Sequence, residues 1–275
     1  MLTGRVFADL RKYPKIVGGL SRQGAKAAIR FYEQVLEFDV RDDLSRGNGV
    51  WDIGSSEAAE MTKLAETTYR DVNIALANQF ALFCQDNGID VHQVIEAANS
   101  QPYSHIHSPG IAVGGHCIPV YPRLYLSTDP HATVVRAARE ANAAMPARAV
   151  EVLARHQGDL EGVTVAVLGV AYRGGVKESA FSGVFPVVDA LRRRGATVVV
   201  HDPLYSDDEL AALGFSAFHR GDRADAAVIQ ADHREYASWG PVDIVGASVI
   251  LDGRRILEPS EWTGVDVVRL GSPPA

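Results

Sequence analysis

The sequence predicts an α/β protein in which a helical central domain with one long spine helix precedes a doubly wound parallel sheet. Three observations lead there. Ser55 to Asn87 contains neither glycine nor proline, and Met61, Leu64, Ala65, Tyr69, Val72, Leu76, Phe80 and Phe83 recur at helical spacing. After the polar segment Gln157–Gly162 the texture changes to short β-branched runs, Val163–Leu168 and Thr197–Val200. Helical segments such as Phe185–Arg194 separate these runs, and strands alternating with helices imply parallel pairing.

The elements follow in order. Lys15–Gly19 reads as a short strand ending in a turn, Arg22–Glu33 as a helix and Val50–Gly54 as an edge strand. Ser55 and Ser56 are N-cap candidates for a helix over about 57–87. At 1.5 Å per residue that helix is ~45 Å long, more than one small domain covers, so a spine or a homodimer contact is expected. Val91–Asn99 is a shorter helix after the Gly88 stop, and 108–119 is a loop dense in turn formers. Thr133–His156 is helical with an interruption at Pro146. Ala226–Ile229 and Ile244–Ala247 continue the strand theme. The divisions are 1–54, 55–160 and 161–275.

Composition excludes several functions. The chain has 275 residues, 47% hydrophobic and 22% charged, which suits a globular protein with a sizeable core. No apolar run reaches the roughly 20 residues of a membrane span, and Asp9, Arg11 and Lys12 stand where a signal peptide needs an apolar stretch. A cytoplasmic protein is expected, with no membrane partner. The net charge of -7 argues against a nucleic-acid partner. Two cysteines, Cys84 and Cys117, cannot form a disulfide framework.

Candidate chemistry concentrates in two places. In Gly114-Gly115-His116-Cys117 the glycines admit a ligand close to the backbone, and backbone N–H groups or a nearby histidine can stabilise a thiolate. Nucleophile and small core residue are equally good readings of Cys117, whereas Cys84, within an apolar helix face, reads as core. Lys63 beside Met61 and Leu64 is either an oxyanion or phosphate partner or a snorkelling lysine. Arg70 with Glu66 or Asp71 reads as a helix-surface ion pair. Gly169, Gly174 and Gly175 do not have the spacing of the dinucleotide fingerprint.

Ala59–Glu66 followed by Tyr69–Ala75 resembles the central helix of the nucleotide-sugar dehydrogenases, the UDP-glucose, GDP-mannose and UDP-N-acetylmannosamine dehydrogenase family. Pro109-Gly110 through Gly114-Gly115-His116-Cys117-Ile118-Pro119 resembles the catalytic-cysteine loop of that family. Val165–Gly169 through His201-Asp202-Pro203 to Asp232-His233 resembles its Rossmann-like C-terminal domain. The wording at Asp71–Ile74 is most similar to the N-acetylmannosamine branch. The resemblance implies a two-step, NAD-dependent oxidation of a sugar C6 hydroxyl to a carboxylate, with Cys117 as nucleophile and Lys63 stabilising the oxyanion. It places Asn73, Arg70, Gly114, Gly115, His116, Arg173 and Lys177 on the substrate side and implies no metal.

The same resemblance exposes departures. Family members begin with an NAD-binding domain carrying the glycine fingerprint, and Met1–Arg5 matches the end of that domain, so it is read as missing and NAD binding by this chain alone is doubtful. A separate NAD-binding chain would complete it. Thr67 replaces a family asparagine, Tyr121 replaces an aspartate thought to act in proton transfer, and Lys177 stands at an arginine position, losing the bidentate fork. These changes keep an alternative open: an NAD-independent lyase or hydrolase on a nucleotide or nucleoside sugar, or a binding protein.

Overall fold

A computed structural model describes residues 6–273, which fall into two compact units divided between Thr67 and Thr68. In the first unit, α1 (Val6–Lys12) leads to a β-α-β arrangement of β1 (Lys15–Gly19), α2 (Arg22–Val35) and β2 (Val50–Ser55). The strands pair in parallel, Lys15 opposite Val50 and Ile16 opposite Trp51. Ser21 caps α2 by accepting the Gly24 N–H at 3.1 Å. The spine helix is α3 (Ser56–Asp86), as the periodicity predicts.

In the second unit α3 buries small and polar residues: Asp71, Ala75, Ala77, Asn78, Ala81 and Cys84. Its large apolar residues Tyr69, Leu76, Phe80 and Phe83 are exposed. The helix is followed by α4 (Val91–Asn99), α5 (Tyr121–Thr128) and α6 (Thr133–Gln157). The last runs unbroken through Pro146, contrary to the expected interruption. Met145, Pro146, Ala149 and Val150 are all buried, and this packing offsets the hydrogen bond and space that an interior proline costs a helix.

The remaining strands form one parallel sheet: β3 (Thr164–Leu168), β4 (Thr197–His201), β5 (Ser216–Ala217), β6 (Ala226–Ile229), β7 (Val249–Asp252) and β8 (Asp266–Arg269). The order β5-β4-β3-β6-β7-β8 is the 3-2-1-4-5-6 arrangement of Rossmann-like folds, with β3 and β6 at the topological switch point. Helices α7 (Val184–Arg192) and α8 (Asp207–Ala212) complete the unit. β3, β6 and β7 are buried on both faces, as parallel strands covered on both sides must be. The expected strand at Ile244–Ala247 is a turn with a single bridge from Val245 to Arg223, and the strand lies at Val249–Asp252. Gly246, at φ 88°, bends the chain between the two. Among the described residues no helix is long and apolar enough to cross a membrane.

Candidate functional site

The loop from Gly110 to Val120 is pinned at three points. At its start the Gly110 N–H donates to Asn78 Oδ1 at 2.9 Å, and Asn78 Nδ2 donates to Asn142 Oδ1 at 2.9 Å. Asn142 Nδ2 in turn donates to Asp71 Oδ1 at 2.8 Å, and Asp71 Oδ2 forms an ion pair with Arg139 Nε at 2.9 Å. This buried chain ties α3 to α6 and fixes where the loop leaves the helices. Burial pushes the Asp71 carboxyl above the usual carboxylate range, against the pull of Arg139 and of the Asn142 amide.

In the middle, Gly115 N–H donates to the Ala180 carbonyl at 3.0 Å. Gly115 sits at φ 89°, and a Cβ on Gly114 would come within 2.6 Å of Tyr172 Cβ, so the closeness of the two segments requires both glycines. At the end, the Cys117 carbonyl accepts the N–H groups of Val120 and Tyr121 at 3.2 and 3.0 Å, which opens α5. Cys117 itself is exposed and Cys84 is buried; both are free thiols.

His116 Nε2 lies 3.0 Å from Glu178 Oε2, and Glu178 Oε1 accepts the Ala180 N–H at 2.8 Å. These two hydrogen bonds, the His116 one foremost, hold the Glu178 carboxyl below its ordinary range. Arg254 braces the facing segment by donating to the carbonyls of Gln230 at 2.6 Å and Tyr172 at 3.0 Å.

Residues 57–144 match the central domain of the UDP-glucose/GDP-mannose dehydrogenase family, and residues 166–259 match its UDP binding domain. The chain carries these two domains of that family. It is 35% identical over 271 residues to the UDP-N-acetyl-D-mannosamine dehydrogenase of Pyrococcus horikoshii, covering 94% of this chain and 60% of that protein. The NDP-N-acetyl-D-galactosaminuronic acid dehydrogenase of Ralstonia nicotianae is 29% identical over 92% of this chain and 58% of its own. The solved UDP-N-acetylmannosamine dehydrogenase structure from P. horikoshii superimposes with a TM-score of 0.82 at 32% identity, over 98% of this chain and 63% of that one. That from S. aureus gives 0.79 at 30% identity, over 98% and 62%. The chain thus spans about 60% of the length of the curated relatives it matches.

The residues expected at the site fall in both units. Gly114, Gly115, His116 and Cys117 share the pinned loop, and Tyr121 is the first residue of α5. The Asn73 amide is spent on structure: Nδ2 donates to the His105 carbonyl at 2.8 Å and Oδ1 accepts the His107 N–H at 2.8 Å. Arg70 lies close enough to help burial lower the His107 ring. Arg173 Nε donates to the Tyr172 hydroxyl at 3.3 Å, and Lys177 Nζ donates to Glu209 at 2.7 Å. In the first unit, Lys63 pairs with Glu66 at 2.7 Å. Thr67 is buried there, and its hydroxyl donates to the Lys63 carbonyl at 2.8 Å. The surface ion pair expected of Asp71 is replaced by the buried one with Arg139, and Glu66 serves Lys63 rather than Arg70.

The sheet's switch-point crevice, of about 530 Å³, is lined by Arg173, Gly174, Gly175, Asp232 and His233 among others. Backbone N–H groups in and beside it serve carboxylates. Val170 and Ala171 N–H both donate to Asp202 Oδ2, at 2.8 and 3.0 Å, and Gly174 N–H donates to Asp232 Oδ1 at 2.8 Å. Burial acts to raise both carboxyls, yet hydrogen bonds from His233 and Ala171 N–H to Asp202, and from Gly174 N–H to Asp232, leave both below the usual range. Asp232 and Glu235 line the crevice together with Arg173 and Arg234, and the turn after β3 lacks the glycine spacing of the dinucleotide fingerprint.

Proposed function

We propose that the chain supplies the thiol-bearing and nucleotide-side parts of a nucleotide-sugar 6-dehydrogenase acting on a UDP-linked N-acetylamino sugar, with the nicotinamide site provided outside the described residues. The observation that carries this reading is the exposed Cys117 on a loop fixed at three points. A thiol so placed can add to the C6 aldehyde of such a sugar, forming the S–C bond as the carbonyl π pair moves to oxygen. The names of the P. horikoshii and S. aureus relatives support the choice of sugar. Lys63 is assigned to the oxyanion, and Thr67 and Tyr121 to the site, by resemblance. The divisions 1–54, 55–160 and 161–275 are proposed as the end of the NAD-binding domain, the central domain and the nucleotide-side domain. The reduced thiols suit the cytoplasm.

The isolated chain is expected to give no change in nicotinamide absorbance with NAD and UDP-N-acetylmannosamine, UDP-glucose or GDP-mannose. Supplying an NAD-binding domain is expected to restore turnover with the first. Robust turnover by the chain alone would refute the division of labour. Loss or gain of water by a nucleotide sugar without cofactor, read by mass spectrometry, would replace the dehydrogenase reading with a lyase or a hydrolase.

We also propose that a second copy covers the exposed face of α3 and α4, where Phe80, Phe83, Ile89, Val94 and Ile106 line an apolar groove of about 620 Å³. Burying aromatic side chains of this size stabilises an interface by roughly 1.5–3 kcal/mol each. Light scattering at micromolar concentration is expected to report twice the chain mass, and Phe83→Asp to report one chain. A monomeric wild type would contradict the assignment.

A further inference from the structure

We propose that the cleft between α5, α6 and the start of α7 binds a small molecule carrying an oxyanion, a carboxylate or a phosphate monoester, on an apolar body. None of the residues assigned to the dehydrogenase site lines this cleft.

Its volume is about 480 Å³, and Arg123 of α5 and Arg139 of α6 both line it. Arg139 is engaged only at Nε, which is buried and pairs with Asp71 Oδ2 at 2.9 Å. Among the described residues no hydrogen bond uses its two Nη groups, and the Arg123 guanidinium has neither a hydrogen bond nor an ion pair. Two guanidinium groups against the one carboxylate of Asp71 leave a positive charge in excess, and no acidic residue among those described lines the cleft. Burial lowers the Arg139 pKa against the pull of Asp71, and the like charge of Arg123 adds to the lowering. A bound anion offsets that repulsion. The planar fork of a guanidinium suits a carboxylate or a phosphate, which fixes the class of anion.

Ser182 supplies a neutral donor at the same wall. It is 2% exposed, and its Oγ accepts Gln230 Nε2 at 3.1 Å and the Val184 N–H at 3.3 Å. Gln230 Nε2 also donates to the Ala171 carbonyl at 3.0 Å, which sets the orientation of that amide. With both lone pairs of the hydroxyl taken, its hydrogen has no acceptor among the described residues and is left for a ligand. Gly183 and Phe185, at the N-terminus of α7, line the cleft as well, so the positive end of that helix lies beside these donors.

The rest of the wall is apolar. Pro119, Pro146, Phe181 and Phe185 offer surface to a ring or a short chain. Phe181 is half exposed there and held at φ 51°, a left-handed conformation that an aromatic residue seldom adopts and that clusters at ligand sites. Val113 and Pro119 belong to the thiol loop, so a molecule seated in the cleft touches the segment that carries Cys117.

The test is titration calorimetry of the 275-residue chain with phenyl phosphate and, in a second arm, with benzoate. One anion is expected to bind per chain, and the arm with the tighter binding tells a phosphate-ester site from a carboxylate site. Phenol, which keeps the ring and lacks the anion, is expected not to bind. Arg123→Gln is expected to weaken binding about tenfold, the scale of one charge-assisted hydrogen bond. Ala143→Trp, which fills the cleft from its wall, is expected to abolish it. Both positions are exposed, so both variants should keep the melting temperature of the wild type. Failure of both anions to bind, or equal affinity in the wild type and the two variants, would overturn the inference. Displacement of the bound anion by UDP would overturn it too, because the anion would then be occupying the nucleotide's own place.

Discussion

Replacing Asp71 with alanine is expected to lower the unfolding free energy by about 3–5 kcal/mol, because the substitution leaves Arg139 as a buried charge without its counter-ion. Against a whole-domain stability of roughly 5–15 kcal/mol this is a large share. The loss has a second part: Asn142 Nδ2 donates both to the Asp71 carboxylate and to the Asp71 carbonyl, and only the second bond survives. If uncompensated charge is the main cost, the double variant Asp71→Asn with Arg139→Met should recover much of what Asp71→Asn alone loses. Urea denaturation of the wild type, Asp71→Asn, Arg139→Met and the double variant measures this, and a double variant as unstable as the sum of the singles would discard the explanation. The pH dependence has a definite sign. Burial holds the folded Asp71 carboxyl above its unfolded value, so the folded state binds that proton more readily. The contribution of Asp71 then weakens as pH rises through that raised range, a slope that Asp71→Asn removes.

That Asp71 carries so much of the structure was not legible in the sequence, and the reason is distance along the chain. Its partners Arg139 and Asn142 come from α6, about 70 residues on, while Arg70 and Glu66 stand beside it and offer a local pairing that reads as complete. The spine helix shows a related limit. Periodicity locates an apolar stripe, and Tyr69, Leu76, Phe80 and Phe83 make one, but Ala77, Ala81 and Cys84 make a second stripe of the same period. The fold buries the small one against Val91 and Ile95 of α4, and it leaves the aromatics outside. The sheet was easier. Val165–Leu168 and Thr197–Val200 are β-branched runs whose burial in a parallel sheet demands that composition. Ile244–Ala247 is similarly apolar, but Gly246 inside it, at φ 88°, bends the chain, and the pairing falls to Val249–Asp252. At the candidate site, the glycine pair before Cys117 could be read directly, since two adjacent glycines signal a close approach. Glu178 sits inside a segment whose resemblance was visible, yet only the fold brings it to His116.

Cys117→Ala is expected to abolish oxidation of UDP-N-acetylmannosamine, measured with an NAD-binding domain supplied, by at least about a thousandfold. In barrier terms that is about 4 kcal/mol. The structure makes the variant a clean one. The Cys117 side chain is exposed, and the loop is held by the Gly110 N–H, the Gly115 N–H and the Cys117 carbonyl, all backbone groups that alanine keeps. A fall in activity would therefore report lost chemistry, and an unchanged melting temperature would confirm that the loop stands. Tyr121→Asp is the complementary change. Tyr121 opens α5, with its N–H on the Cys117 carbonyl, and a carboxylate in the first turn of a helix is favourable. It restores the acid that the family places four residues beyond the thiol, so turnover is expected to rise in the otherwise wild-type chain and to stay absent in Cys117→Ala/Tyr121→Asp. If Cys117→Ala retains wild-type turnover, the thiol is no nucleophile. If Tyr121→Asp instead lowers the rate of a cofactor-free reaction on a nucleotide sugar, the phenol is acting as the acid or base of a different chemistry.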